Sequence, residues 1–125
     1  MKLLNSLYHI SDKSSMAGTV QYDILLDTNH SIWQAHFPGN PITPGVFIIQ
    51  MAKELLEHHL DKSLLIQKVK NVKFLSVISP LETPAVSCVF VHIITDNATR
   101  TCQSQVQLQA GKRVLARLSF TCKYQ

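Results

Sequence analysis

The feature that most constrains the fold of this chain is a short segment, residues 36–45, that is dense in proline and glycine. Three of the five prolines and two of the four glycines of the 125-residue chain lie in it. Because proline fixes φ and has no N–H to donate, the segment can be neither a regular strand nor a regular helix. It therefore predicts a rigid loop of defined shape.

A buried helix is predicted directly after this loop. Residues 46–60 contain neither glycine nor proline, and their apolar residues cover most of the helix circumference in the first two turns. Thr43 is the predicted N-cap, and Pro44 fits the first helical position. A helix that is apolar nearly all round at its start must be covered by other elements.

Strands are predicted for most of the remaining chain. The patterns favour strands over 19–26, 64–75, 85–95, 103–110 and 114–122, with turns at 27–30, 80–84 and 111–113. Residues 1–15 show only a short apolar pattern. One long helix with a mostly antiparallel sheet indicates an α+β architecture, and the length suits a single domain over 1–125.

Composition excludes several classes of protein. With 46% apolar and 16% charged residues, the chain should fold. The net charge is +4, but only three of the twelve basic residues are arginines, so nucleic-acid binding has little support. No apolar run is long enough to span a membrane. The three cysteines, Cys88, Cys102 and Cys122, are too widely spaced for a zinc site or a disulfide framework, so a reduced, cytoplasmic protein without a metal is expected.

The proline-rich loop carries a recognisable motif. Residues 36–46 read His-Phe-Pro-Gly-Asn-Pro-Ile-Thr-Pro-Gly-Val and match the pattern H-F-P-G-x-P-x-x-P-G-V at eight fixed positions. This pattern resembles the signature of the β-hydroxyacyl-acyl-carrier-protein dehydratases of the FabA/FabZ type. Residues 72–80 are similar to a downstream segment of the same family. The resemblance implies a hotdog fold, in which a mostly antiparallel sheet wraps one long central helix.

The resemblance also implies a reaction and roles for individual residues. Such enzymes remove water from a β-hydroxyacyl thioester and leave the trans-α,β-enoyl thioester. His36 would take the α-proton, and the Gly45 N–H would polarise the thioester carbonyl. The position of the family's acid, Glu or Asp, is occupied here by Gln50. The candidate substrate-binding residues are Phe37, Pro44, Val46, Phe47 and Phe74.

The chemistry of His36 and Gly45 is reasonable without the resemblance. Removing a proton next to a thioester carbonyl places negative charge on the carbonyl oxygen. An N–H in the first turn of a helix has no intrahelical partner and lies at the positive end of the dipole, so it can stabilise that charge. A histidine with an ordinary pKa near 6.5 can act as a base near neutral pH.

Gln50 departs from the family because an amide cannot serve as a general acid. Three hypotheses follow. Glu54, four residues later on the same helix face, replaces the acid. Alternatively, Gln50 orients a water and Glu54 acts as a base, as in a hotdog acyl thioesterase. Finally, the chain is a non-catalytic or half-catalytic subunit, and a paralogue supplies the acid.

The sequence therefore predicts a β-hydroxyacyl thioester dehydratase of a fatty-acid-like or polyketide-like pathway. The acyl group would arrive on acyl carrier protein or coenzyme A, and no cofactor is required because phosphopantetheine comes with the substrate. The resemblance implies a homodimer or higher oligomer, or a hetero-oligomer with a paralogue. A row of lysines, Lys68, Lys70 and Lys73, is either a solvated strand face or a surface for an acidic carrier protein.

Overall fold

The computed structural model describes residues 2–35, 39 and 42–125. These residues form two helices and six strands. In chain order the elements are β1 Tyr8–Met16, β2 Thr19–Leu26, α1 Ser31–Ala35, α2 Gly45–Leu60, β3 Leu64–Phe74, β4 Ala85–Asp96, β5 Thr101–Ala110 and β6 Arg113–Tyr124. The predicted α+β class is confirmed.

All six strands belong to one sheet, and every neighbouring pair is antiparallel. The order is β1-β2-β4-β5-β6-β3, so β1 and β3 are its two edges. The strand that follows α2 in the chain thus lies at the opposite edge from β1. Short turns connect β4 to β5 and β5 to β6, as expected for antiparallel hairpins.

The core lies between one side of the sheet and α2. Alternate residues of β2 are buried, as the two-residue period of a strand requires. The helix contributes seven buried side chains, namely Phe47, Ile48, Met51, Ala52, Glu54, Leu55 and Leu56. The predicted burial of the helix is therefore confirmed, and one member of its buried set is a carboxylate.

The two ends of α2 are defined by different backbone conformations. The helix begins at Gly45, and its N-cap is Pro44, an extended residue that provides no side-chain hydrogen bond. It ends at Asp61, which adopts the left-handed conformation with φ 53° and ψ 46°. The N–H of Lys62 then donates to the carbonyl of Glu57 at 3.3 Å and closes the last turn.

The prediction of Thr43 as N-cap is wrong. The Thr43 N–H instead donates to the carbonyl of Ile78 at 2.8 Å, which ties the residue to the segment after β3. Its hydroxyl is buried and has no hydrogen-bond partner within the described part of the chain. Because Pro44 follows Thr43, the extended backbone is favoured there, and the first helical residue is Gly45.

Two elements were not predicted. Strand β1 is polar and largely exposed beyond Tyr8, so it lacks the alternation that marks a strand with one buried side. Helix α1 has only five residues. The predicted turn before α1 is present, because the N–H of Asn29 donates to the Asp27 carboxylate at 2.9 Å.

Candidate functional site

The tip of α2 presents a backbone donor beside an apolar groove. Gly45 is the first helical residue, and among the described residues nothing accepts a hydrogen bond from its N–H. The adjacent groove has a volume of about 420 Å³ and is lined by Ile42, Thr43, Pro44, Gly45, Ile48, Phe74, Leu75, Ser76, Val77 and Ile78. A donor at the positive end of a helix, next to apolar walls, suits a carbonyl oxygen that gains charge.

Phe74 gives a steric reason for the glycine at position 45. A Cβ built on Gly45 would lie 2.6 Å from Cζ and 2.8 Å from Cε2 of the Phe74 ring, closer than real Cβ atoms come to other atoms. The ring, which is 52% exposed, thus packs directly on the backbone at the helix tip. Phe74 therefore forms one wall of the groove at the helix tip.

The predicted substrate-binding residues on α2 point in different directions. Phe47 is buried in the core with 8% exposure, whereas its neighbour Val46 is 64% exposed. Pro44 is half-buried and lines the groove. His36, the predicted base, and Phe37 lie outside the described residues, so their roles stay predictions.

Gln50 and Glu54 are brought together by the helix, and Glu54 is the acceptor. The Gln50 Nε2 donates to Glu54 Oε2 at 2.8 Å. The N–H of Leu3 donates to the same oxygen at 2.8 Å. The N–H of Leu4 and the hydroxyl of Tyr8 donate to Oε1 at 2.8 and 2.9 Å. Each carboxylate oxygen thus accepts two hydrogen bonds.

This arrangement gives Glu54 a structural task. The side chain is only 4% exposed, and a buried carboxylate is tolerated where donors satisfy it. Leu3 and Leu4 precede β1 and Tyr8 is its first residue, so the carboxylate ties the start of the chain to the middle of α2. Burial, and then the charge of Glu54, raise the pKa of Tyr8 above its usual range, so that its hydroxyl stays a donor.

Three of the four donors to Glu54, namely Leu3, Leu4 and Tyr8, are residues that the sequence analysis missed. Two of them are backbone N–H groups, which any residue carries, so Leu3 and Leu4 give no signal beyond their apolar character. Tyr8 lies four residues further in a segment without a clear pattern. The signal in the sequence is only the position of a glutamate within an apolar helix stretch.

A second polar contact joins α2 to the sheet. The hydroxyl of Tyr22, in β2, lies 2.7 Å from Nδ1 of His58. Burial raises the pKa of Tyr22 to about 12. The neighbouring His59 is partly buried, and desolvation lowers its pKa. Neither histidine borders the groove at the helix tip.

His30 and Ser6 resemble a nucleophile–base pair in distance but not in polarity. Ser6 Oγ lies 3.0 Å from Nε2 of His30. The N–H of Ile32 donates to Nδ1 of the same ring at 3.1 Å, which makes Nδ1 an acceptor. A neutral ring then carries its hydrogen on Nε2 and donates it to Ser6, so it cannot activate that hydroxyl as a base.

Neither a cluster of metal-binding side chains nor a membrane-spanning helix occurs among the described residues. Across residues 2–35, 39 and 42–125, no three His, Cys, Asp or Glu side chains converge as a metal site would require. No helix within these ranges has the length and apolar character needed to cross a membrane.

An apolar surface surrounds the helix tip. Val46, Phe74, Leu75 and Val77 are between 52% and 64% exposed, and the last three line the groove. We call these four residues the tip patch. Exposed apolar side chains next to one another usually mark a surface that another molecule covers.

The fold and the family are identified by comparison with known proteins. One chain of the dehydratase heterocomplex ApeI:P from Xenorhabdus doucetiae superposes with a TM-score of 0.68 and 16% identity, over 91% of this chain and 96% of that chain. A hypothetical thioesterase with coenzyme A from Streptococcus pneumoniae gives a TM-score of 0.63 and 15% identity, over 94% of this chain and 85% of that chain. The sheet wrapped on α2 is the hotdog fold, as the motif implied.

The model of the ApeI-like family, described as ApeI dehydratase, matches residues 11–112. The chain therefore belongs to the ApeI-like dehydratase family, within the FabA/FabZ type that the loop motif predicted.

Sequence relatives agree with this family. The 3-hydroxyacyl-acyl-carrier-protein dehydratase FabZ of Lactiplantibacillus plantarum is 33% identical over 85 residues, which is 62% of this chain and 58% of that protein. FabZ of Levilactobacillus brevis is 31% identical over 100 residues, which is 74% of this chain and 65% of that protein. The chain thus spans less than two thirds of the length of these curated relatives.

Proposed function

We propose that this protein takes part in dehydrating a β-hydroxyacyl thioester to the trans-α,β-enoyl thioester in fatty-acid-like or polyketide-like biosynthesis. The observation that carries the proposal is the Gly45 N–H at the tip of α2, beside an apolar groove of about 420 Å³. The family membership and the FabZ relatives, which act on acyl carrier protein by name, support the same reaction.

In the proposed reaction His36 removes the α-proton while the thioester carbonyl accepts a hydrogen bond from Gly45. The electron pair forms the α,β double bond, and the β-hydroxyl leaves with a proton as water. Histidine acting as a base contributes about 10²–10⁴-fold to such steps. Phe74 and Pro44 would touch the acyl thioester where it meets the helix tip.

The acid that protonates the leaving hydroxyl is proposed to come from a partner subunit. The Gln50 amide is too weak an acid to protonate the leaving hydroxyl, and the two oxygens of Glu54 together accept hydrogen bonds from four donors. A carboxyl in that position would have to lose contacts to the segment before β1 in order to donate. The heteromeric assembly of the ApeI:P dehydratase is a precedent for two different subunits in one such enzyme.

The first test measures the loss of water from the substrate and the release of free thiol separately. The purified chain is incubated with a short β-hydroxyacyl thioester on acyl carrier protein and on coenzyme A, alone and with a dehydratase paralogue that has Glu at the Gln50 position. We expect enoyl product with the paralogue, at a rate that His36→Ala lowers by about 10²–10⁴-fold. The control His9→Asn, exposed on β1, should leave the rate unchanged.

The outcomes separate the competing hypotheses. Dehydration by the chain alone that Glu54→Gln abolishes, with unchanged melting temperature, would make Glu54 the acid and reject the partner hypothesis. Release of free thiol without enoyl product would identify a thioesterase. No reaction under any condition, in a complex shown to bind the thioester, would leave an acyl-binding subunit as the function.

A further inference from the structure

Two of the three cysteines meet across neighbouring strands. Cys102 lies in β5 and Cys122 in β6, and the strand register places them directly opposite each other. Directly opposite residues project to the same side of a sheet. Here that side is the core, because the two side chains are 1% and 0% exposed. Their wide spacing in the sequence thus becomes a direct cross-strand pair when the hairpin folds.

The backbone spacing at this pair suits a disulfide. The Tyr124 N–H donates to the Arg100 carbonyl at 2.9 Å, two positions along the same ladder. Hydrogen-bonded and non-hydrogen-bonded pairs alternate along an antiparallel ladder, so Cys102 and Cys122 also form a hydrogen-bonded pair, with Cα atoms about 5.5 Å apart. Disulfides usually join Cα atoms that are ~4.4–6.8 Å apart. The pair therefore falls within the range of a disulfide.

The side chains must move slightly closer for the bond to form. The Cβ atoms of directly opposite residues are about 4.5–5.5 Å apart, and hydrogen-bonded pairs are the wider ones, whereas a disulfide brings them to ~3.5–4.5 Å. A disulfide that closes against such a misfit carries strain, and strained disulfides are the ones most readily reduced. The geometry therefore favours a reversible bond over a permanent one.

The two thiols differ in acidity. The Cys122 thiol, as a hydrogen-bond donor, lowers the pKa of Cys102. The same interaction, and then burial, raise the pKa of Cys122. Because the thiolate is the nucleophile in thiol oxidation, Cys102 is the sulfur expected to react first, and Cys122 is the thiol that resolves the product.

Cys88 provides an internal comparison. It is equally buried, in β4, and burial raises its pKa to about 12. It lies opposite Leu108 of β5, whereas Thr95 of the same strand lies opposite Cys102. The distance along β4 from Cys88 to Thr95 is roughly 20 Å at ~3.3 Å per residue. Cys88 is therefore too far from the pair to form a disulfide with either member.

The pair lies near the open end of the β5–β6 hairpin. Cys102 is the second residue of β5, and Cys122 is the third residue from the end of β6. The ends of strands open locally at a lower free-energy cost than their centres. Such opening gives a small oxidant access to two thiols that are buried in the closed structure.

We propose that Cys102 and Cys122 are a redox-active pair, which a peroxide oxidises to a reversible disulfide between β5 and β6. The Cys102 thiolate attacks one peroxide oxygen, the O–O bond breaks, and a sulfenic acid forms while the other oxygen takes a proton and leaves as water. The Cys122 thiol then attacks the Cys102 sulfur, the S–S bond forms, and the sulfenic hydroxyl leaves as a second water.

The peroxide accepts both electrons in this oxidation, and a dithiol returns them by two thiol–disulfide exchange steps. The proposed modification site lies outside the groove at the helix tip and does not rest on the proposed dehydratase function.

The test maps the disulfide in the whole chain. The reduced parent protein is treated with hydrogen peroxide, the remaining free thiols are alkylated in urea, and the protein is digested with trypsin. Cleavage after lysine and arginine places Cys102 in peptide 101–112, Cys122 in peptide 118–123 and Cys88 in peptide 74–100. Mass spectrometry then identifies which peptides are linked.

We expect peptides 101–112 and 118–123 to become linked in a monomer that has lost the mass of two hydrogen atoms. Dithiothreitol added to the folded, oxidised protein should restore both thiols. Peptide 74–100 should stay reduced and be alkylated. A linked peptide that contains Cys88, a disulfide between two chains, or sulfinic acid at Cys102 without a cross-link would overturn the proposal. A cross-link that forms only in urea, or that dithiothreitol cannot reverse, would do the same.

Alanine variants test the order of the two steps. Cys88→Ala removes an equally buried thiol and should cross-link at the rate of the parent protein. Cys122→Ala removes the resolving thiol, so Cys102 should accumulate as a sulfenic acid that dimedone traps. A folded Cys122→Ala protein that traps no dimedone would reject Cys102 as the reacting sulfur. Circular dichroism melting checks the fold of each variant, and the peptide map of the parent protein decides the pairing without them.

Discussion

Gly45 and Phe74 meet at the candidate site, although Gly45 belongs to the loop motif and Phe74 to the downstream segment 72–80. A Cβ at position 45 would lie only 2.6 Å from Cζ of the Phe74 ring. The glycine therefore has a steric reason as well as a chemical one. Loop flexibility alone would not explain it, since Gly45 is helical.

The first prediction concerns a Gly45→Ala substitution. Within a helix, alanine is ordinarily more stable than glycine by about 0.5–1 kcal/mol. Here the methyl group must displace the Phe74 ring, and overpacking typically destabilises by about 1–3 kcal/mol. Because the half-exposed ring can swing outward, we expect a net loss of about 1 kcal/mol in the free energy of unfolding, measured with urea.

A double-mutant cycle tests the cause of that loss. In a Phe74→Ala background the same Gly45→Ala change should become neutral or stabilising, since the obstacle is gone. Additive effects of the two substitutions would mean that the ring does not limit position 45. The matched control is Gly111→Ala, in the β5–β6 turn, where φ is 61° and no atom lies within 4 Å of a Cβ; its strain should not depend on Phe74.

Glu54 shows what residue patterns do not encode. Its position on the helix, four residues after Gln50, was evident from spacing alone, and the two side chains do meet. The direction of the hydrogen bonds was not evident, because three of the four donors come from residues about 50 positions away in the chain. The sequence does not distinguish a carboxyl group that acts as a general acid from a carboxylate that anchors a segment.

At the scale of elements, Tyr22 is the polar link between β2 and the end of α2. Its hydroxyl lies 2.7 Å from His58, and its ring packs edge-on against Phe90 with centroids 6.3 Å apart. Burial of this ring favours the neutral phenol in the folded protein, since a phenolate there would lose its hydration.

The second prediction is a loss of stability in alkaline solution. The pKa of Tyr22 is raised from 10.0 to about 12, so in the unfolded chain the phenol ionises first. The unfolded state then loses protons that the folded state keeps, and the free energy of unfolding falls as the pH rises from 10 to 12. Urea unfolding at steps across this range should show the decline.

Tyr22→Phe removes the contribution of this phenol while retaining the ring. The variant should be less stable than the parent below pH 10, because the contact with His58 is lost, and its stability should fall less steeply above it. Tyr124→Phe, at the end of β6, is the control for a tyrosine of this sheet. An identical decline in parent and Tyr22→Phe proteins would contradict the assignment to Tyr22.

The predictability of the elements follows from which of them have a buried side. Helix α2 and strands β2, β4, β5 and β6 place alternate or periodic apolar residues in the core, and their positions were predicted to within a few residues. Strand β3 is a mostly exposed edge strand as well, but its apolar residues alternate with lysines, and it was predicted to within one residue. Strand β1 is mostly exposed and lacks that alternation, so hydrogen bonding to β2 alone defines it. The same reasoning explains Thr43, where a backbone hydrogen bond to Ile78 outweighs its capping preference.

At the scale of the whole molecule, the two edges of the sheet differ in their surroundings. β1 is polar over most of its length. β3 ends in Phe74, and Leu75 and Val77 follow it, so this edge runs into the tip patch. An uncovered edge strand next to exposed apolar side chains favours association with another chain, whether a second copy or a paralogue.

The third prediction is that the protein associates with another chain through the tip patch. Leu75→Lys/Val77→Lys places two charges where the residues are 52% and 59% exposed, so the substitution should not disturb the core of a single chain. Burying two unpaired lysines against apolar surface is strongly unfavourable, so association should be lost. Sedimentation velocity of the parent, alone and with a dehydratase paralogue, should show a complex that the variant cannot form.

The matched control for assembly is Met16→Lys/Ile94→Lys. These side chains are 80% and 53% exposed, and they lie in β1 and β4, away from the tip patch. If both double variants assemble equally well, the tip patch is not the interface, and the exposed groove beside Gly45 then belongs to the single chain. If only the Leu75/Val77 variant dissociates, a partner surface closes the groove. The Gly45 N–H then faces an enclosed space, where exclusion of water strengthens a hydrogen bond to a thioester oxygen.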